Sequence, residues 1–234
     1  MKKKILIVAL IVTCILVLDQ VIKIYVKTAY ANDPGGGIPL IGDWFVLEYI
    51  ENQGMAFGTS FGSKAWHKLA LSIFRILAIG ALIYYWIKQA KKGVRLEFLI
   101  TIGLVFAGAT GNLIDSMFYD LFFTYKPCMP FNHLPGSGIE SECFFETIET
   151  RHTGFLFGNV VDMFKFHAFW PEWVPYLGGK QVFPAIWNVS DAAISIGVIT
   201  IFIRQRKYFP KKKKETIEDN NEVAIPDSEN PSIS

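Results

Sequence analysis

Asp162 and Asp191 are the residues of this chain with the most chemistry to offer. Asp191 lies inside an apolar segment long enough to cross a bilayer, and Asp162 sits in Val-Val-Asp-Met-Phe shortly before it. A carboxylate in hydrocarbon is costly unless it is paired, solvated or protonated, so an acid in such a segment marks a functional site by default. Two carboxyl groups within hydrogen-bond reach cannot both ionise cheaply; one keeps a proton while the other acts as base. Such a pair can activate water for attack on an amide carbonyl and then protonate the departing nitrogen. His67, His133, His152 and His167 are scattered without a motif around any of them, so no Ser/His/Asp arrangement competes. No His/Cys cluster has zinc-ligand spacing. Neither a metal nor a cofactor is expected.

The elements that must hold these acids are written in the hydropathy. The 234 residues are 51% hydrophobic and 15% aromatic, too apolar for an ordinary soluble domain. Four stretches, 5–26, 66–87, 96–118 and 186–203, reach the ~20 apolar residues that a bilayer core demands. They predict an all-α membrane protein, a four-transmembrane-helix bundle with a small extracytoplasmic β-sheet and a long extracytoplasmic loop. Lys2 to Lys4, the loop with Lys88, Lys91, Lys92 and Arg95, and the end with Arg204, Arg206, Lys207 and Lys211 to Lys214 hold 14 of the 23 basic residues. Positive charge collects on the cytoplasmic side of spans, so both chain ends are expected there and both long loops outside. The net charge of +2 is thus an orientation signal. No basic patch with interleaved aromatics points to nucleic acid.

Trp44, Trp66, Trp170, Trp173 and Trp187 fall at predicted outer boundaries and Trp86 at an inner one, as an interfacial belt requires. The start of the chain, basic then apolar up to Cys14, has the look of a cleavable export signal. The apolar run continues past Cys14 without small residues before it, which favours an uncleaved span. Cys14 itself reads as packing. Cys128 and Cys143 share the outer loop, where the compartment permits a bridge, but spacing alone leaves their pairing open.

The membrane body is expected over 1–206, with an outer β region at 30–62. A strand over 43–51 with a neighbour near 38–41 reads as a small sheet against the outer leaflet. It runs into Asn52-Gln53-Gly54-Met55-Ala56-Phe57-Gly58, whose small residues permit close backbone approach. The second outer loop, 119–185, is far longer than a connection needs to be, a mark of function when the composition is aromatic. The tail, 207–234, turns from basic to acidic and polar and reads as disordered, its lysines held near anionic lipid.

Helical rise of ~1.5 Å per residue puts Asp19 ~21 Å across from the inner side of the first span. Asp115 and Asn112 lie near the outer end of the third span, and Asp191 and Asn188 near that of the fourth. Three spans therefore present acids at one level. Asp19 and Lys23, at i and i+4, form a plausible ion pair on one helix face. Asn112 with Asp115, and Asn188 with Asp191, are each one turn apart, so each pair makes a polar stripe. Such stripes must face each other or a wet cleft. Gly108-Ala109-Thr110-Gly111 before Asn112 invites close packing by a neighbouring helix.

Taken in series, Asp19-Gln20 with Lys23, the Asn52 to Gly58 run, Gly111-Asn112-Leu113-Ile114-Asp115, Val160-Val161-Asp162-Met163-Phe164 and Asn188-Val189-Ser190-Asp191-Ala192 resemble the lipoprotein signal peptidase (signal peptidase II) family over the body of the chain. The resemblance implies a membrane-embedded aspartyl endopeptidase with Asp162 and Asp191 as its catalytic dyad. Its substrates would be diacylglyceryl-modified prolipoproteins, cut on the N-terminal side of the lipid-modified cysteine. The resemblance also places Asn52, Gly54, Asn112 and Asn188 along the substrate cleft, with Asp115, Asp19 and Lys23 in support. A place in the bacterial cytoplasmic (inner) membrane, in contact with lipid and working near the outer face, is implied, and a monomer is assumed. Two departures stand out. The family commonly has Arg directly after the third-span Asp, where this chain has Ser116; Arg151 and Lys165 are the replacements to consider. The loop over 120–158 is an extension that compact members lack.

A proton-coupled transporter also uses intramembrane acids, but here they share one level instead of tracing a path, and no inverted repeat is visible. A non-catalytic lipid-binding scaffold is the third reading.

Overall fold

The computed structural model describes residues 2–30, 37–53 and 62–210. Gly54 and the Met55 to Gly58 run lie outside the described residues, as do 32–36 of the Gly/Pro-rich turn and the tail from Lys211 onward. The described chain is mainly helical: α1 (Lys2–Ala29), α2 (Ala65–Lys91), α3 (Leu96–Phe122) and α4 (Val189–Tyr208). By length and composition α1, α2 and α3 can each cross a membrane. α4 has 20 residues, with Asp191 in its first turn and Arg206 and Lys207 in its last. It starts later than the hydropathy predicts. Trp187 pairs with a strand, and Asn188 is the helix N-cap.

α3 is the central helix. Half of its apolar stretch is buried, against 11% in α1 and in α2, whose outward faces carry exposed Leu6, Leu10, Val17, Phe74 and Leu77. Cys14 lies exposed on α1 and so does not serve the packing expected of it. Close approach to α3 depends on its small residues. A Cβ on Gly108 would come 2.2 Å from the Ser190 carbonyl, and one on Gly111 would come 2.1 Å from Ser190 Oγ and 2.7 Å from Asp19 Oδ2. The Gly108 to Gly111 stripe is thus where α4 and α1 meet α3.

Beside one end of the bundle lies a three-stranded antiparallel sheet in the order β1 (Gly37–Ile41), β2 (Phe45–Asn52), β5 (Val160–Phe166). The first two strands follow the expected pair. The third is a finding, because the sequence carries no turn signal that would bring residue 160 beside residue 52. Side chains alternate along it with the period of two that a strand imposes. Val161 and Met163 enter a core with Val26 of α1, Leu47 and Tyr49 of β2 and Tyr119 of α3, while Val160, Asp162 and Phe166 line a cavity on the other face.

Within the long loop, β3 (Glu140–Cys143) and β4 (Glu146–Glu149) form a hairpin. Cys128 and Cys143 are joined by a disulfide with their Cα atoms 5.3 Å apart, which resolves the open pairing. Arg151, nearly buried, ties the loop to α3 through Asp120 at 2.7 and 2.8 Å and to Asn132 at 2.7 Å.

Candidate active site

Asp162 reaches the cavity because β5 alternates, and Asp191 reaches it because α4 begins there. What joins them is the segment between. Trp187 exchanges backbone hydrogen bonds with Phe164 at 2.8 and 2.9 Å, which fixes the next residue, Asn188, against β5. The Asn188 carboxamide donates to Asp162 Oδ1 at 2.6 Å, and its backbone N–H donates to Asp191 Oδ2 at 3.2 Å. Its side-chain oxygen accepts from the Asp191 N–H at 2.9 Å, closing a capping box at the start of α4. One residue therefore holds both carboxylates.

The remaining partners of the pair are amides. Asn52 donates to Asp162 Oδ2 at 3.2 Å, and Asn112 donates to Asp191 Oδ1 at 2.9 Å. Asn112 Oδ1 in turn accepts from Asn188 at 3.2 Å and from Lys23 Nζ at 2.8 Å. The two polar stripes on α3 and α4 thus face each other, as their spacing predicts. Asp162 is nearly sealed, and burial, followed by the neighbouring Asp191 charge, pushes its carboxyl up to about 8. Near neutral pH it keeps a proton.

Behind this pair lies a second acid cluster. Lys23 contacts Asp19 at 3.0 Å and Asp115 at 2.8 Å, all three side chains fully buried. Gln20 donates to Asp115 at 2.9 Å, the Ser190 N–H to Asp19 at 2.8 Å, and the Val161 N–H to Asp115 at 3.2 Å. The cluster thereby clamps α1, α3, α4 and β5 together directly behind Asp162 and Asp191.

The cavity in front measures about 710 Å³. Asn52, Asn112, Asp162 and Asp191 make its polar wall, and Phe166, Phe183, Ile186, Trp187, Ile196 and Ile199 its apolar one. A second cavity of about 610 Å³ shares Asn52 and Asp162 and is walled by Phe131, His133, Leu134 and Pro135 of the long loop. The loop extension therefore reaches the site itself.

The sequence profile of the family described as Signal peptidase (SPase) II matches residues 11–206. The chain belongs to that family. It is 37% identical over 203 residues to the lipoprotein signal peptidase of Porphyromonas gingivalis, covering 84% of this chain and 81% of that one. The lipoprotein signal peptidase of Amoebophilus asiaticus is 33% identical, covering 86% and 79% respectively. Two solved bacterial membrane enzyme structures share the fold. One has a TM-score of 0.54 at 23% identity over 89% of this chain and 93% of the other, and one has 0.53 at 24% over 86% and 93%.

In this signal peptidase II chain, then, Asp162, Asp191, Asn52, Asn112 and Asn188 converge on one cavity, and Asp19, Lys23 and Asp115 lie together behind them. Gly54 lies outside the described residues. Neither cation considered in place of Ser116 reaches this wall. Arg151 is engaged by Asp120 and Asn132, and Lys165 pairs with Glu48 at 2.6 Å on the sheet. Among the described residues, the cation that does line the cavity is Arg75 of α2, whose Nη1 donates to Ser116 Oγ at 3.2 Å. Sequence reasoning missed it, although a lone charge well inside an apolar span was the available signal.

Proposed function

We propose that this protein is a membrane-embedded aspartyl endopeptidase that removes signal peptides from diacylglyceryl-modified prolipoproteins, cutting on the N-terminal side of the modified cysteine. The observation that carries the reading is that Asn188 holds the Asp162 and Asp191 carboxylates together at the mouth of an apolar cavity. Asp191, as carboxylate, takes a proton from water while the water oxygen adds to the scissile carbonyl carbon. Protonated Asp162 hydrogen-bonds to the carbonyl oxygen as it gains charge. Collapse breaks the C–N bond and delivers a proton to the cysteine nitrogen. The products are a signal peptide ending in a carboxyl group and a free amine on the lipid-modified cysteine. Asn52, Asn112 and Asn188 hold the acids and border the substrate, the family resemblance adds Gly54 to the substrate-binding residues, and Asp115, Asp19 and Lys23 support the pair from behind.

The apolar wall suits acyl chains and a signal helix, and the loop-walled cavity suits the polypeptide beyond the cysteine. We place α4 as a fourth span, both chain ends in the cytoplasm and the site near the outer face of the inner membrane. Support comes from the basic flanks and from the sheet lying at the end of the bundle away from Lys88 to Arg95. The peptidase body then spans 1–206, with 207–234 as a cytoplasmic tail, and the protein works as a monomer surrounded by lipid. The test is reconstitution with a diacylglyceryl prolipoprotein, comparing wild type with Asp162→Asn and Asp191→Asn. Processing that persists in both variants removes the dyad. No processing by wild type favours a transporter or a lipid-binding scaffold.

A further inference from the structure

The loop extension comes within reach of the acids. Its residues Phe131, His133, Leu134 and Pro135 wall a cavity of about 610 Å³ together with the end of β2. Asn52, Asp162, Ala185 and Ile186 line both this cavity and the one that holds Asp191, so the two spaces adjoin at Asp162.

That wall is fastened to the strand that carries Asn52. Gln53 donates from its carboxamide to the Phe131 and His133 carbonyls at 3.2 and 3.4 Å, and its own carbonyl accepts from Lys68 Nζ of α2 at 2.6 Å. The Phe131 ring meets Tyr49 of β2 edge-on at 5.7 Å. From behind, the Leu134 N–H donates to the Glu149 carbonyl at 2.9 Å, and Arg151 donates to Asn132 at 2.7 Å. The Cys128–Cys143 bridge closes the loop on itself. A surface tied at so many points has one shape to offer a ligand.

A scissile amide has chain on both sides, and Asp162 has a cavity on both sides. The cavity with Asp191 is walled by Ile196 and Ile199 of α4, on the helical side from which a signal helix and acyl chains in hydrocarbon arrive. The other is walled by loops and a strand end, outside the helices. Chain that follows the modified cysteine leaves the lipid for water, which is the direction of this second space. Its lining is apolar at Ile50, Phe131, Leu134 and Ile186. The carboxylate of Glu51, also in the lining, is already taken by Lys27, Tyr49 and Asn159. The volume falls within the range of about 300–1,000 Å³ typical of ligand sites, room for a few residues of extended chain.

We propose that residues 130–135 of the loop extension form a binding subsite for the first residues of the mature chain after the lipid-modified cysteine, with Leu134 against their side chains. Gln53 is the positioning residue that holds this wall beside Asp162.

This inference rests on the peptidase reading, and the experiment separates the two. The full-length protein, reconstituted in phospholipid vesicles, is assayed on diacylglyceryl prolipoprotein peptides that stop just after the cysteine or continue for several apolar or several acidic residues. In wild type the apolar continuation should lower KM by about 10-fold against the truncated peptide, the worth of burying one apolar side chain. Leu134→Lys should raise kcat/KM for the acidic relative to the apolar continuation by at least about fivefold, the scale of one new ion pair. Pro135→Lys, at an exposed position of the same wall, should shift preference the same way and covers the case in which the Leu134 variant does not fold. Gln53→Ala should remove most of the KM advantage of the longer peptides, whereas a merely structural role would slow long and short peptides alike. Equal KM for truncated and continued peptides in wild type would overturn the subsite while Asp162→Asn remains inactive. So would lysine variants with unchanged preference, or a preference that follows the residues before the cysteine, which would give the cavity to the signal peptide. Activity in Asp162→Asn would instead overturn the peptidase reading.

Discussion

Two acid clusters meet at the Asn112 to Asp115 turn of α3, and their partners separate them. Asp19 and Asp115 close on a buried ammonium, Lys23, and are sealed on every side. Asp162 and Asp191 are held by carboxamides and one backbone N–H, and they face a cavity of about 710 Å³. A cation pairs with an acid and holds it in place, which suits a clamp between helices. An amide orients an acid without neutralising it, so the pair stays free to pass a proton. Asn112 touches both clusters, accepting from Lys23 while donating to Asp191. The clamp thereby sets the direction of the Asp191 carboxyl group.

The sharpest way to break the contrast is to neutralise each cluster in turn. Asp162→Asn or Asp191→Asn should lower turnover by at least about 10³-fold, within the range of lost acid–base catalysis, while the thermal unfolding midpoint does not fall below that of wild type. A large drop in that midpoint would show that these acids also serve as a clamp. Lys23→Met should do the reverse of a catalytic variant. It leaves two buried carboxylates without their cation and should destabilise the fold by about 3–5 kcal/mol, read as a lowered melting temperature in detergent.

Asn188→Ala tests the hinge between the clusters and the cavity. It releases both acids and should lower kcat/KM by about 10²-fold through misplacement, with about 1 kcal/mol of stability lost with the α4 cap. Unchanged activity would mean that Asn52 and Asn112 suffice to hold the pair.

The smallest effect concerns pH. Asp162 has its folded pKa raised to about 8, above the ~3.9 of an unfolded chain. Its stabilising preference for the protonated form is therefore present in full at low pH and is lost as pH rises from about 4 through about 8. Asp162→Asn lacks this loss, so its melting temperature should gain on that of wild type across the same window. Activity of wild type should fall on the alkaline side near pH 8, as an apparent value of the coupled pair. A profile flat to pH 10 would contradict the proton assignment.

Much of this was legible because it is local. The apolar stretches gave α1, α2 and α3 to within a few residues, and the spacing of Asn112 with Asp115 and of Asn188 with Asp191 gave their shared faces. The Gly108 to Gly111 stripe gave the close approach of α4. Asp19 and Lys23 pair as their i,i+4 spacing predicts, and Asp115 joins them. Other features were illegible because they join distant residues. Asn52 and Asp162 are 110 residues apart, and only the pairing of β5 with β2 brings them together. Arg75 belonged to an apolar span and drew no notice until α2 was seen to turn it toward Ser116. Arg151 was a candidate for the cavity but is held by Asp120 at the end of α3.

By itself, the sequence determined which segments are apolar enough to enter a membrane, which faces of their helices are polar, and which motifs it shares with the signal peptidase II family. These are properties of neighbours along the chain, set by side-chain transfer energies and the helical repeat. Tertiary structure alone decided that Cys128 meets Cys143, that β5 completes the sheet, and that one asparagine holds both acids while an arginine from α2 faces them. Such contacts join residues far apart in the chain, and their geometry exists only once the helices have packed and the strands have chosen their register.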